Sequence, residues 1–335
     1  MLDYLVPKSN EIALKTINGV SIKGLGNINT DSYMNNASYI RLGAGYASVN
    51  DVGESNVAIG YNSFLTNTVG SRNVAIGAGS LYSNTTGSDN CGIGQSSLGS
   101  NTIGTNNVAI GGASLMFNIS GTYNVAVGDS ALFFNTESNF NTAIGAWSLF
   151  NATYSNCSGL GNSSSVTASN QIQLGNSATT TYVYGTVQNR SDLRDKADVR
   201  DTLLGLDFIN KLRPVDYKWD MREYYKENYP IKKDNQTEED YKIIINEYIE
   251  NNKLSNITHN GTKKGNRYHH GLIAQEVKQV LVENNIDFGG YQDHSTNGGD
   301  DVLSIGYDEL IAPLIKSIQE LTKEIKLLKE KTINL

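Results

Sequence analysis

The chain contains the pentapeptide Asn56-Val57-Ala58-Ile59-Gly60, and the same frame returns every 17 residues. The later copies begin at Asn73, Asn90, Asn107, Asn124 and Asn141. A short, fixed period is the signature of a repeat fold, in which stacked units share one core because none can bury its apolar residues alone. The repeat therefore predicts a β-solenoid or β-roll over residues 54–176.

Alternation within the repeat predicts which side chains lie inside. Strand side chains point alternately to two faces, so Val57 and Ile59 point one way and Ala58 the other. Ile59 is followed five residues later by Phe64, and its equivalents are followed by Leu at the same distance, which predicts two short strands per coil. We expect the Ile59 series inside the coil and the Ala58 series at a tight contact with another coil or chain.

Two further series mark turns. Gly60 and its equivalents end each strand, where glycine permits unusual backbone angles. Asn67 and its equivalents lie in another turn, and Asn tolerates left-handed angles. Turn geometry, rather than ligand binding, is the expected role of both series.

Charge divides the chain near Ser191. Residues 1–190 hold 6 Lys and Arg and 8 Asp and Glu, whereas residues 191–335 hold 21 and 26. The net charge of −7 comes with no basic stripe, so nucleic acid is not an expected partner. No apolar run approaches the roughly 20 residues of a spanning helix, which argues against membrane insertion.

The two cysteines do not indicate a disulfide framework or a metal site. Cys91 and Cys157 lie 66 positions apart and form no Cys-x-x-Cys pair. We expect both to be small core residues, and we expect no metal and no cofactor.

The repeats resemble the Asn-x-Ala-Ile-Gly units of phage and giant-virus fibre proteins, and more distantly the β-roll heads of trimeric autotransporter adhesins. This resemblance implies a mainly β, trimeric fibre. Between residues 56 and 161 the acidic residues are Asp89, Asp129 and Glu137, too unlike in register to supply the paired carboxylates of a glycosidase.

Three blocks follow the charge boundary. They begin at Arg190-Ser191-Asp192, at Leu204 and at His270, and the last continues as Gly-Leu-Ile-Ala-Gln-Glu276-Val277. In this order they resemble the autocleaving intramolecular chaperone domain of phage endosialidases and tail fibres, which also occurs in a membrane-bound eukaryotic transcription factor. The resemblance covers residues 191–335 and implies an α+β chaperone domain.

The resemblance also implies catalytic residues. Ser191 and Lys196 match a Ser and a Lys five positions on that act as a dyad, and the cut falls between Arg190 and Ser191. A Ser hydroxyl is a weak nucleophile until a base takes its proton, and a Lys becomes that base when burial or nearby cations favour its neutral form. Arg194 is close enough in sequence to supply a nearby positive charge of this kind. The expected enzyme is a serine endopeptidase that cuts its own chain once.

Three secondary catalytic candidates accompany the dyad: His270, Glu276 and Asp192. His270 is expected, on the resemblance, to polarise the scissile carbonyl or orient the dyad. Glu276 lies in an amphipathic helical pattern, where it can equally face water or a partner.

The remaining C-terminal sequence predicts an insertion and a coiled coil. The charge pattern of residues 220–267 predicts a solvated insertion around a helix at 239–251. A heptad seam is formed by Ile311, Leu314, Ile318, Leu321, Ile325 and Leu328. Ile at a with Leu at d favours a parallel dimer, whereas the resemblance implies a trimer. We expect the trimer, because the seam is short and the shaft and chaperone domain around it should decide the number of chains.

Together these readings predict a viral, phage-like tail fibre or spike whose C-terminal domain templates trimer folding and then cuts itself away. The predicted parts are an N-terminal fibre segment (1–53), a shaft (54–176), a linker (177–190), the chaperone and peptidase domain (191–306) and a coiled-coil helix (307–335). The expected partners are two further copies and a host-cell surface glycan or receptor, and the expected location is the virion. The alternatives are a glycan-binding or glycan-degrading tailspike, or a bacterial trimeric adhesin at the extracellular cell surface.

Overall fold

The computed structural model describes residues 53–333 except 152, 185–186, 228–229 and 231–237, together with three short strands near the N-terminus. β1 (Thr16–Ile17) and β2 (Val20–Ser21) form an antiparallel pair. Most of the predicted N-terminal fibre segment, 1–53, lies outside the described residues. Two compact units are present: the first ends at Thr180, and the second runs from Thr181 to Leu335 and includes Thr167–Gln171.

The first unit is a parallel β-solenoid of about seven turns with 17-residue spacing, as the repeat predicts. Nine strands stack in chain order and in register. They are β3 (Tyr39–Leu42), β4 (Asn56–Ile59), β5 (Val74–Ile76), β6 (Cys91–Ile93), β7 (Val108–Ile110), β8 (Val125–Val127), β9 (Thr142–Ile144), β10 (Ser158–Leu160) and β11 (Ile172–Leu174). Coil-to-coil hydrogen bonds such as Val57 N to Asn73 O, 2.8 Å, hold the stack together.

The prediction that the Ile59 series lies inside the coil is wrong. Ala58 and its alanine equivalents are fully buried, whereas Ile59 is half-buried and Ile144 is 46% exposed on the outer face. The coil is too narrow for larger residues beside the strand: a Cβ added to Gly92, in the Ala58 series, would lie 2.6 Å from Ser80 Oγ. The tight contact expected for the Ala58 series is therefore present, but inside the coil.

The core opposite the strand consists of one large apolar residue per coil. These residues are fully buried and stack along the axis: Phe64, Leu81, Leu98, Leu115, Leu132 and Leu149. Cys157 is buried with them, whereas Cys91 is only half-buried and points outward, so the expectation that both are core residues is half right. Burial raises the pKa of the Cys91 thiol.

The predicted second strand of each coil is also wrong. Phe64 and Leu98 have φ angles of 52° and 51°, in the left-handed region that bulky residues rarely adopt. Their amides still bond to the next coil, as in Phe64 N to Ser80 O at 2.9 Å. Coil-to-coil hydrogen bonding and burial thus stabilise a row of turns where an extended strand was expected.

Asparagine stabilises its turn through its side chain, not through the left-handed backbone expected: Asn67 Nδ2 donates to Gly70 O, three residues on, at 2.9 Å. Described residues with positive φ do not include Asn67 or its equivalents, and Asn67 is fully buried. Asn84 Nδ2 donates to Asn67 Oδ1 at 2.9 Å, and Asn101 Nδ2 donates to Asn84 Oδ1 at 2.8 Å. A second ladder begins at Asn56, whose Oδ1 accepts from Asn73 N at 2.9 Å. Each amide thus binds its equivalent one coil away, which satisfies its hydrogen-bonding groups in the interior.

The second unit contains four helices and two small antiparallel sheets among the described residues. The helices are α1 (Leu206–Lys211), α2 (Glu238–Asn251), α3 (Ala274–Glu283) and α4 (Ile311–Ile333). The sheets pair β12 (Val215–Tyr217) with β13 (His269–Gly271), and β14 (Tyr291–Asp293) with β15 (Leu303–Ile305). One buried apolar cluster of this unit consists of Phe208, Val277, Leu281, Phe288 and Leu310. The helix expected at 239–251 is confirmed as α2.

Helix α4 has one buried side and one exposed apolar side. Pro313 and Ser317 are buried, and Glu320 Oε2 accepts a hydrogen bond from Leu206 N at 2.8 Å, at the start of α1. The heptad positions lie on the exposed side, with Ile318 exposed by 64%. Within the described residues, no helix is both long and apolar enough to cross a lipid bilayer.

Candidate self-cleavage site

A single turn brings Ser191 and Lys196 together. The Asp192 carboxylate accepts the Arg194 backbone N–H at 2.9 Å, and residues Leu193–Asp195 form a 3-10 turn closed by Lys196 N to Leu193 O at 3.1 Å. This turn reverses the chain over five residues, and Lys196 Nζ donates to Ser191 Oγ at 2.8 Å. The two residues that the resemblance singles out are therefore in direct contact.

Two ion pairs surround the junction. Arg190 Nε lies 2.7 Å from Asp195 Oδ2, which ties the residue before the proposed cut to the residue before Lys196. Arg194 Nη2 lies 2.5 Å from Asp192 Oδ2. Hydrogen bonds from the Arg194 side chain and backbone lower the pKa of Asp192. Arg194 is thus paired with a carboxylate, which offsets the positive field that the sequence led us to expect near Lys196.

The dyad is exposed in the single chain. Ser191 and Lys196 both face solvent. Water favours the charged form of a lysine, while burial disfavours it. The single chain therefore brings the two side chains into contact without burying them.

His270 and Glu276 lie elsewhere in the second unit. His270 Nδ1 is 2.6 Å from Asp216 Oδ1, across the β12–β13 pair, where the two residues are in register. Glu276 accepts from Arg213 Nε at 2.9 Å, and this hydrogen bond lowers the Glu276 pKa. Among the described residues, no hydrogen bond joins either of them to the dyad. Their catalytic roles stay predictions.

Sequence reasoning did not anticipate the partners Asp195, Asp216 and Arg213. Asp195 was visible in the block itself, as a carboxylate five positions from Arg190. Asp216 and Arg213 lie 54 and 63 positions from their partners, so only the pairing of β12 with β13 and the packing of α3 reveal them.

The predicted insertion at 220–267 is anchored at its base by Asp220. This side chain is 8% exposed, accepts from Tyr225 Oη at 2.8 Å and from Gly261 N at 2.9 Å, and lies 3.0 Å from His259 Nδ1. Burial raises the Asp220 pKa, but these hydrogen bonds and His259 outweigh it and the pKa is lowered. The carboxylate therefore organises the insertion.

Across the residues that the structure describes, no group of three or more His, Cys, Asp or Glu side chains is arranged to hold a metal ion. Comparison of the chain with protein-family models, with curated proteins and with solved structures finds no match.

Proposed function

We propose that the chain is a fibre or spike shaft whose C-terminal domain assembles three copies and then cuts the chain between Arg190 and Ser191. The observation that carries the proposal is the 2.8 Å hydrogen bond from Lys196 Nζ to Ser191 Oγ. It lies on a capped turn shortly after the last strand of a repetitive shaft, where a cut separates the shaft from residues 191–335.

The cut is an acyl transfer within the chain. Neutral Lys196 takes the hydroxyl proton of Ser191, and Oγ attacks the Arg190 carbonyl carbon. An ester bond forms, the peptide C–N bond breaks, and the proton passes to the departing Ser191 amine. Water then hydrolyses the ester, which leaves a carboxylate on Arg190 and a free hydroxyl on Ser191.

Two exposed apolar surfaces support assembly from several copies. The outer face of the solenoid sheet presents the Val57 and Ile59 series without a charged side chain. The exposed side of α4 presents a heptad seam. Contiguous exposed apolar surface of this kind marks protein interfaces. Further copies of the same chain are the occupants we propose for both, and a trimer is the stoichiometry that the fibre resemblance implies.

A removable assembly domain suits a parallel solenoid. The hydrogen bonds of the solenoid connect residues of different coils, and structures that depend on such non-local pairing fold slowly. A domain that holds three chains together favours correct winding, and its removal leaves a shaft whose unfolding is hard to reverse. Cleavage thereby makes assembly of the shaft irreversible.

Glycan degradation by the shaft is a weaker proposal. Asp89 is held by Arg72 through two hydrogen bonds of 2.6 and 2.8 Å, and the side-chain bond from Arg72 lowers the Asp89 pKa. A glycosidase acid needs a raised pKa instead. Glycan or receptor binding, on a virion or on a bacterial cell surface, stays compatible with the proposed shaft.

A denaturing gel of the freshly expressed full chain tests the proposal. We expect two fragments of 190 and 145 residues in place of the 335-residue chain. Persistence of the full-length band after the protein has assembled would overturn it.

A further inference from the structure

The last strand of the solenoid leaves an open sheet edge. In earlier coils the final strand carbonyl accepts the N–H of the next coil's glycine, as Ile59 O does from Gly77 N and Leu160 O from Gly175 N, both at 2.7 Å. In β11 no described residue donates to the carbonyl of Leu174. The outward side chains of this strand are also exposed, by 74% at Ile172. The edge thus presents unpaired backbone groups beside apolar side chains.

The sequence just beyond this edge repeats the strand frame once more. From β4 onward each solenoid strand ends in a triplet followed by glycine, as in Ser158-Gly-Leu-Gly161 and Ile172-Gln-Leu-Gly175, and the next such stretch is Tyr182-Val-Tyr-Gly185. The spacing between triplets shortens steadily toward it. It is 17 residues up to β9, 16 to β10, 14 to β11 and 10 to Tyr182.

Residues 182–184 are strong strand formers that the intact chain leaves in water. Tyr182 is 85% exposed and Tyr184 is as exposed as in an extended peptide, at 107%. β-branched and aromatic residues are enriched in strands, where their side chains pack against neighbours. Downstream, Asn189 belongs to the second unit. In the intact chain, the peptide bond between Arg190 and Ser191 therefore ties the far end of this segment to the second unit.

We propose that residues 182–184 form a tenth strand of the solenoid sheet, parallel to β11 of the same chain, once the cut frees them. Seven residues, 175–181, make the connection. Eight peptide steps reach about 26 Å, enough to return along a strand of about 10 Å and to step about 4.8 Å to the next position. Tyr182 and Tyr184 then extend the outward ladders of Ile172 and Leu174.

The added strand closes a surface that would otherwise pair with other chains. Exposed, apolar sheet edges are templates for aggregation, and repeat arrays need a terminal cap. The inference rests on the proposed cut as the event that frees the segment, and the strand itself is testable without it.

Paired cysteines in the full chain test the register. Residues opposite each other on parallel strands lie about 4.8 Å apart, within the span of a disulfide. In a Cys91→Val background, one variant carries Ile172→Cys with Tyr182→Cys, and the matched control carries Ile172→Cys with Tyr184→Cys. Each is compared with the same pair plus Ser191→Ala. Appearance of the 190-residue fragment reports that the variants with Ser191 assemble, and sedimentation velocity reports assembly of those with Ser191→Ala.

The expected result is a disulfide within one chain for the 172–182 pair, absent from the 172–184 control and much reduced when Ser191→Ala prevents the cut. Mass spectrometry of the non-reduced fragment distinguishes bonds within and between chains. A bond between chains, a bond favoured in the 172–184 control, or no bond in a cut shaft would overturn the inference. If the parent chain is never cut, the proposed function fails; a 172–182 disulfide in the uncut chain would then support the strand without the cut, and its absence would overturn the inference.

Discussion

The solenoid and the C-terminal unit satisfy their polar groups in opposite ways. In the solenoid the partner of a polar side chain is usually the equivalent position one coil away, as in Asn84 with Asn67 or Arg72 with Asp89. In the C-terminal unit, partners are unrelated residues, some near in sequence, such as Arg194 with Asp192, and some far apart, such as His270 with Asp216.

This difference separates structural from chemical roles. A ladder repeats one contact many times, so no single coil has a unique arrangement of reactive groups. The C-terminal unit places different groups together once, and the contact between Ser191 and Lys196 is of that kind. Function specific to one point of the chain is therefore expected in the second unit, and mechanical stability in the first.

The largest expected effect is loss of a solenoid core residue. Leu115→Ala leaves a cavity between coils, because Leu115 is fully buried, and should cost about 2–5 kcal/mol of unfolding free energy. Leu203→Ala, at a residue exposed by 86%, is the matched control and should cost little. Equal losses of unfolding free energy in the two variants, measured by chemical unfolding, would contradict the stabilising role of the solenoid core.

The next effect concerns association through α4. Leu321→Ser removes a seam residue, and burial of one leucine contributes about 1.5–3 kcal/mol, so self-association should weaken at least about tenfold. Leu327 is similarly exposed, at 49% against 41%, but lies off the seam, and Leu327→Ser is the control. Sedimentation velocity measures the self-association of both variants. Unchanged association in Leu321→Ser would show that the seam is not an interface.

A ladder residue should cost less than a core leucine. Asn101→Ala removes hydrogen bonds to Asn84 and Asn118, at 2.8 and 2.7 Å, and leaves buried amide groups unpaired, at about 1–3 kcal/mol. Asn260→Ala removes two exposed hydrogen bonds that Asn260 accepts from Thr262, and should be nearly neutral. Similar unfolding temperatures for the two variants would contradict a stabilising role of the ladder.

The smallest effect concerns Asp192 and pH. The hydrogen bonds from Arg194 lower its pKa, so the cap that Asp192 provides is complete above the unfolded value of about 3.9 and is lost only as pH falls through the lower folded value. Cleavage should therefore fall only in strongly acidic solution. Asp192→Asn keeps the cap acceptor without its titration and should lose that acidic fall, whereas Asp192→Ala should slow cleavage modestly at every pH. The same acidic fall in Asp192→Asn would contradict this role of Asp192.

The period of the repeat was enough to predict the solenoid, but not the orientation of its side chains. Alternation separates Ala58 from Ile59 without saying which face is inside, and apolarity pointed to Ile59. The narrow coil reverses this choice, because the interior beside the strand is already filled by residues such as Leu81 and Ser80. Likewise, Asn67 fits a turn by composition, and only stacking shows that its amide forms a ladder.

At the candidate site, the resemblance was sufficient to predict contact between residues that are near neighbours in the chain. Ser191 and Lys196 are five positions apart, and a capped turn brings them together. The partners of His270 and Glu276 depend on strand pairing and helix packing over more than 50 positions, which no local pattern specifies.

The most direct test of the central claim is the intact mass and N-terminal sequence of the small fragment. The parent chain should yield a fragment that begins at Ser191, Ser191→Ala should yield none while still assembling, and Lys196→Ala should yield almost none. Ser255→Ala, at an exposed serine in the same unit, should be cut normally. A fragment that begins elsewhere, or that appears undiminished in Ser191→Ala, would contradict the account.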